Sequence, residues 1–297
     1  LEIDEEPQDH NAERLEGMVQ GVIFLLLAEF FFAAASVFAK LITTGSDIPA
    51  IEITFFRFLI GVFVSFYWIR RQKISLRPDR WSLVIWRAIL STLALILFFY
   101  SVQYTSVTNA NMLNMTYPVF IFFVAPLFWK QKVRPLAVVY LIIAMTGIYL
   151  VIRPDFASVN PGDLYGLLSG IVAAFAVITL SIARKTDSTA IIVFYLMAFG
   201  FLSNGLLMLP VFRLPHGGEL FYLVVSGIFG VAGQALLTSG YRSISAKTGS
   251  MISSSRVVFA ALLGFIVFSE PLTVSVVAGG FMIVGAIIGA SGLRSLG

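Results

Sequence analysis

Three ionisable residues, Glu29, Arg57 and Arg256, each stand in the middle of a long apolar run. A charge held in hydrocarbon costs a few kcal/mol, so residues at such positions are functional candidates by default. At 1.5 Å of helix rise per residue, Glu29 lies about 11 residues into its run, and Arg57 and Arg256 about 9 into theirs, which brings all three to one depth. The chemistry open to them is specific. Glu29 can take a proton or meet an ammonium group, and a guanidinium can grip a carboxylate in a bidentate fork. If Glu29 pairs with Arg57 to lock adjacent helices, Arg256 is left for an anionic ligand or for carbonyls at a helix end. If all three face one site, their net charge of +1 suits a carboxylate, with Glu29 opposite an ammonium.

Further polar residues recur near the same depth. Asn111, Asn114 and Tyr117 are spaced by three, as are Ser250, Ser253 and Arg256, so each set forms a stripe along one helix. The stripes read either as the lining of one cavity or as interhelical hydrogen bonding. Pro118 frees a carbonyl beside the first stripe and permits a kink. Tyr100 and Gln103 stand where an outer gate would be, Lys40 and Glu52 are placed to pair, and Arg87, beside Trp81 and Trp86, reads as an interface anchor. Phe30, Phe31, Phe32, Tyr117 and Phe259 are available to hold an apolar or ring-bearing group. Gly166 with Gly170 and Gly285 with Gly289 are small-residue pairs that pack helices within a monomer or across a homodimer.

The elements that must hold these residues follow from composition. Of 297 residues, 58% are apolar and only 12% charged, against about 25% charged in soluble domains. Too little polar surface exists to wet a globule of this size, and the lipid bilayer is the expected surrounding. Windows long enough to cross about 30 Å of hydrocarbon give ten spans. They run over Met18–Ile42, Ile48–Ile69, Trp81–Gln103, Asn109–Trp129 and Pro135–Ile152, then Gly162–Ala183, Thr189–Phe212, Glu219–Gly240, Lys247–Ser269 and Leu272–Leu293. With both termini cytoplasmic, fourteen Lys and Arg fall in the cytoplasmic loops and tails and only Arg153 and Arg213 on the other side, as the positive-inside bias requires. Residues 1–17, acidic and polar, read as a disordered cytosolic tail. The expectation is therefore a multi-pass protein of the inner or plasma membrane.

The same composition removes other classes. The chain has no Cys and only two His, His10 and His216, both outside the spans, so no metal site, cofactor or thiol chemistry is expected. An intramembrane enzyme would need clustered acids, His or a Ser with its base, and the spans offer only Glu29 and Glu52. The basic residues are scattered between spans, which speaks against nucleic acid as a partner. No phosphate-binding Gly-x-x-x-x-Gly-Lys loop is present, so any transport is gradient-driven or passive.

Five spans precede residue 153 and five follow residue 160, so the two halves must run in opposite senses, as in many carriers. A shift of 139 lays Ser101–Ile148 on Gly240–Ile287 and brings Asn111 onto Ser250, Asn114 onto Ser253 and Tyr117 onto Arg256. Several stretches also resemble the drug/metabolite transporter superfamily, in its EamA-like ten-helix branch. They are Ile48-Pro49-Ala50 leading to Phe55-Phe56-Arg57-Phe58, Tyr104 to Pro118, Gly147-Ile148-Tyr149 with Arg153-Pro154, and Ser269-Glu270-Pro271-Leu272-Thr273. The last is similar to a Gly-Glu-x-Leu-Thr turn, with Ser in place of Gly. The resemblance implies an all-α membrane fold of two inverted five-helix repeats, residues 18–153 and 160–293, around a central cavity. It implies a carrier of small organic metabolites, most often exported. Amino acids and their derivatives lead as the small-molecule substrate, moved by alternating access, ahead of nucleoside- or flavin-like rings.

Overall fold

The computed structural model describes residues 6–105, 107–129, 135–152, 161–269 and 271–292. Among them every regular element is helical. The helices are α1 (Glu6–Gly45), α2 (Ala50–Arg71), α3 (Trp81–Tyr104), α4 (Val107–Asn114), α5 (Tyr117–Trp129) and α6 (Pro135–Ile152). They continue with α7 (Pro161–Ala183), α8 (Thr189–Met208, extended by a short 3₁₀ turn), α9 (Gly217–Gly240), α10 (Ala246–Ser253), α11 (Ser255–Phe268) and α12 (Val274–Gly292). Among the described residues eight segments are long and apolar enough to cross a membrane, and two shorter apolar helices cover Ala110–Val124 and Val274–Ala290.

Two expectations change. Residues 6–17 extend α1 as helix where a disordered tail was expected; once a helix is nucleated, each added residue gains a hydrogen bond at little cost, and Glu, Ala and Arg all favour propagation. The span over Asn109–Trp129 is interrupted beside Pro118, where a kink was permitted, and the span over Lys247–Ser269, expected as continuous, is interrupted too. In the first, α4 stops at Asn114, whose carbonyl would have faced the missing N–H of Pro118, and Thr116 donates back only three residues to Leu113. The second break has no proline. It falls in the run Ser253-Ser254-Ser255, where Ser254 and Val257 make three-residue backbone bonds. The two breaks lie at positions related by the same shift of 139 that aligns Asn114 with Ser253.

Helix pairing repeats between the halves. The α1 helix packs along α9 and α3 along α7; α2 touches α9 and α8 touches α3; α2 faces α8, and α6 faces α12. Exchanging the first five spans for the last five leaves this pattern unchanged. Small residues set the closest approaches, because without water the association of helices rests on van der Waals contact and interhelical bonds. Gly21 lies against the Gly240 carbonyl, Gly166 lies against Ser101, and the backbones of Gly147 and Gly279 touch. Gly170 faces the α4–α5 break, so the Gly166–Gly170 pair is spent on packing inside the chain.

The turn after α11 explains a departure noted above. Ser269 has φ 55° and ψ 31°, a left-handed cap, a conformation that glycine adopts freely and that costs other residues roughly 1 kcal/mol. Glu270, of the same motif, lies outside the described residues.

Candidate substrate site

Leu25, Ala28, Glu29 and Phe32 form one buried stripe of α1, and Glu29 within it is 0% exposed. Its partner is Arg256, whose Nε donates to Glu29 Oε2 at 2.6 Å. The break before α11 puts Arg256 in that helix's first turn, where its side chain stays 32% exposed beside the fully buried carboxylate. Of the two alternatives left open for Glu29, the pair with Arg57 is not formed: Glu29 pairs with Arg256, and among the described residues no ion pair includes Arg57. The physical reason is rotation: hydropathy gives the depth of a residue but not the face of the helix it occupies.

Arg57 is held by shape instead of by an opposite charge. On α9, Gly227 and Gly230 leave a trough for it, and a Cβ on Gly230 would lie 2.6 Å from Arg57 Nε. That Nε is buried without a hydrogen-bond partner, and no ion pair among the described residues includes Arg57. Its guanidinium carbon stands 5.1 Å from the Phe32 ring centroid, and that of Arg256 stands 4.7 Å from the same ring. Two cations thus share one aromatic ring, and the one carboxylate shown beside them pairs with Arg256. We expect Gly230→Ala to push Arg57 out of its trough. Substrate affinity should fall about tenfold, with a stability loss of about 1–3 kcal/mol for the added methyl; an unchanged KM in a transport assay would contradict this placement.

The polar stripes divide. Ser253 faces the phenols of both Tyr117 and Tyr241 next to the Glu29–Arg256 pair, so Tyr117 and Ser253 join the site. Asn114 instead donates from Nδ2 to Ser169 Oγ at 2.9 Å, and Ser169 Oγ donates to the Gly166 carbonyl at 2.7 Å. Ser250 is turned back on its own helix, its hydroxyl donating to the Lys247 carbonyl at 2.8 Å. These two carry helix packing. Asn111 is half-buried on α4. Tyr100 is exposed, and its ring and that of Tyr104 lie tilted against Tyr165 of α7; the side chain of Gln103 lies outside the described residues. Phe30 and Phe259 meet edge to face at 5.8 Å, tying α1 to α11.

Two further expectations fail on geometry. Glu52 does not meet Lys40: its Oε2 accepts the backbone N–H of Arg213 at 3.1 Å, while Arg213 Nη1 pairs with Asp47 at 2.9 Å and Lys40 lies 4.4 Å over the Phe268 ring. Arg87 is no interface anchor. It is buried, whereas its neighbours Trp81 and Trp86 are exposed. Arg87 and Tyr241 are the polar residues near the site that the sequence reading did not place there. Tyr241 sits between Gly240 and Arg242, a composition that reads as a loop.

At the end of the bundle carrying the α7–α8 turn, Asp187 accepts the Asp79 N–H at 2.7 Å and so ties the α2–α3 connection to that turn. Arg184 donates to the Asp187 carbonyl at 2.7 Å. Burial, with Arg242 nearby, pushes its pKa below the usual arginine value, and Asp187 opposes the shift.

The sequence profile of the EamA-like transporter family matches residues 19–153 and again residues 160–292. The chain belongs to that family. It is similar to the pseudopaline exporter CntI of Pseudomonas aeruginosa strain UCBPP-PA14, at 28% identity over 93% of this chain and 98% of the relative. It is also similar to human solute carrier family 35 member G1, at 27% identity over 91% and 78% of the two chains. A crystal structure matches with a TM-score of 0.79 and 16% identity, over 93% of this chain and 98% of the other, a likeness of fold. This EamA-like protein is thus a multi-pass membrane transporter of the drug/metabolite superfamily, with a small-molecule substrate, and not an enzyme.

Proposed function

We propose that this EamA-like transporter exports a small organic solute bearing a carboxylate, with amino acids and their derivatives as the leading class, by alternating access. The observation that carries the reading is the trio itself: two guanidinium groups on the Phe32 ring and a buried carboxylate engaged by Arg256 leave Arg57 without a counter-ion among the described residues. A carboxylate arriving at Arg57 restores neutrality in a region of low dielectric, where such a pair is strong. The free Oε1 of Glu29 offers an acceptor to an ammonium group on the same solute. Export is supported by the exporter named among the relatives.

The architecture fits this use. We read the repeated helix pairing and the matched breaks in α4–α5 and α10–α11 as two inverted five-helix repeats, with ten crossings and both termini cytoplasmic. Broken helices near the midplane place backbone polar groups beside a substrate site, and rocking of one repeat against the other alternates its exposure.

Glu29 supplies a route to proton coupling. Protonating it removes the charge that Arg256 holds, so the pair opens and the second guanidinium is released toward the solute. The reading is tested by efflux of amino acids from proteoliposomes containing the full chain, across a pH series. The expected result is saturable efflux whose rate changes with pH, and whose pH dependence is flattened by Glu29→Gln. A rate that varies with pH equally in that variant would remove the proton from the mechanism, and failure of all amino acids to move would remove the substrate class.

A further inference from the structure

A second unpaired cation lies along α3. Arg87 is 5% exposed, its Nε has no hydrogen-bond partner, and no ion pair among the described residues includes it. Within its electrostatic reach is Tyr241, which follows the last residue of α9, is 1% exposed and has an unpartnered hydroxyl. The Tyr241 ring is clamped across Gly249, where a Cβ would collide with the ring edge. Tyr241 also interacts with Tyr117 and Glu29. A row of buried polar groups therefore runs from the Glu29–Arg256 pair through Tyr117, Ser253 and Tyr241 to Arg87.

For folding alone this arrangement is unfavourable. A guanidinium Nε and a phenol hydroxyl buried without a hydrogen-bond partner each lose solvation, and an apolar pair of the same volume would pack at no such cost. What the position supplies is a pair of donors, the Arg87 Nε–H and the Tyr241 O–H, neither of which has a hydrogen-bond partner among the described residues. We propose that Arg87 and Tyr241 form a second anion-binding subsite, which receives the carboxylate of the transported solute on its way between the α2–α3 end of the molecule and Arg57. The subsite rests on the carrier reading above, but not on amino acids being the cargo.

The test is site-resolved arginine modification. The full chain in detergent is treated with phenylglyoxal, acetate is titrated at constant chloride concentration, and adducts at Arg57 and Arg87 are followed separately by mass spectrometry of peptides. Both arginines should react without acetate. Acetate should slow both, by roughly tenfold at ten times its dissociation constant, while methylammonium at the same concentration should slow neither. Protection at Arg57 alone overturns the second subsite and leaves the Arg57 site standing; protection at neither overturns both. Protection at Arg87 alone supports the subsite and removes Arg57 as the anchor. An Arg87 that does not react without acetate is engaged within the protein, which also overturns the proposal. Tyr241→Phe should weaken protection at Arg87 several-fold and leave that at Arg57 unchanged; full protection at Arg87 in this variant takes Tyr241 out of the subsite.

Discussion

Replacing Arg57 by Gln is expected to lower kcat/KM for a carboxylate-bearing substrate about 100-fold, equivalent to about 2.7 kcal/mol of lost interaction. The size follows from truncating one partner of a desolvated charge pair, which costs about 2–5 kcal/mol. Arg57→Lys should recover only part of the loss, since an ammonium brings the charge without the planar fork. Stability should move the other way. With no ion pair among the described residues and a buried, unpartnered Nε, the charge of Arg57 is a burden on the fold, so Gln at this position should leave the melting temperature unchanged or raised. Transport kinetics and thermal unfolding of the same preparations separate the two effects. Unaltered kinetics in Arg57→Gln would show that the solute is held elsewhere, and a large drop in melting temperature would show that Arg57 has a structural partner.

The second large effect concerns the pair itself. Arg256→Met leaves the fully buried Glu29 carboxylate without its 2.6 Å partner, and breaking a buried pair from one side costs about 3–5 kcal/mol. The partial exposure of Arg256 places the expectation at the lower end, about 3 kcal/mol. Combining Arg256→Met with Glu29→Gln removes both charges and should restore most of that loss. A double-mutant cycle measured by reversible unfolding in detergent isolates the interaction. If the two losses simply add, Glu29 and Arg256 do not act as a pair in solution, and the proton-coupling scheme that depends on their opening fails with them.

Several of these residues were legible before any fold was known. Glu29, Arg57 and Arg256 stand out because a charge amid apolar neighbours is a property of one segment, and helix rise converts position into depth. The break at Pro118 was legible for the same reason, being chemistry of the chain itself. The break at Ser254 was not, since three serines are tolerated within a membrane helix and only the repeat relation to Asn114 and Tyr117 marked it. The roles of Asn114 and Ser250 were also closed to sequence reading. An amide or hydroxyl at three-residue spacing serves a cavity or a helix contact equally well, and only the positions of Ser169 and the Lys247 carbonyl decide.

Composition and hydropathy alone establish that the chain is immersed in a membrane and that Glu29, Arg57 and Arg256 stand within long apolar segments. These are sums over local transfer energies, and they require no knowledge of neighbours. Which charges meet follows instead from how the helices pack. In lipid the usual guide to the inside of a protein is lost, because apolar side chains are equally at home facing hydrocarbon or facing other helices: Phe123 and Ile266 are largely exposed while Glu29 and Glu52 are fully buried. Hydropathy therefore cannot assign the inward face of a helix. The pairing of Glu29 with a residue 227 positions away, and not with Arg57 on the next helix, is set by how α1, α9 and α11 rotate and pack on the small residues between them.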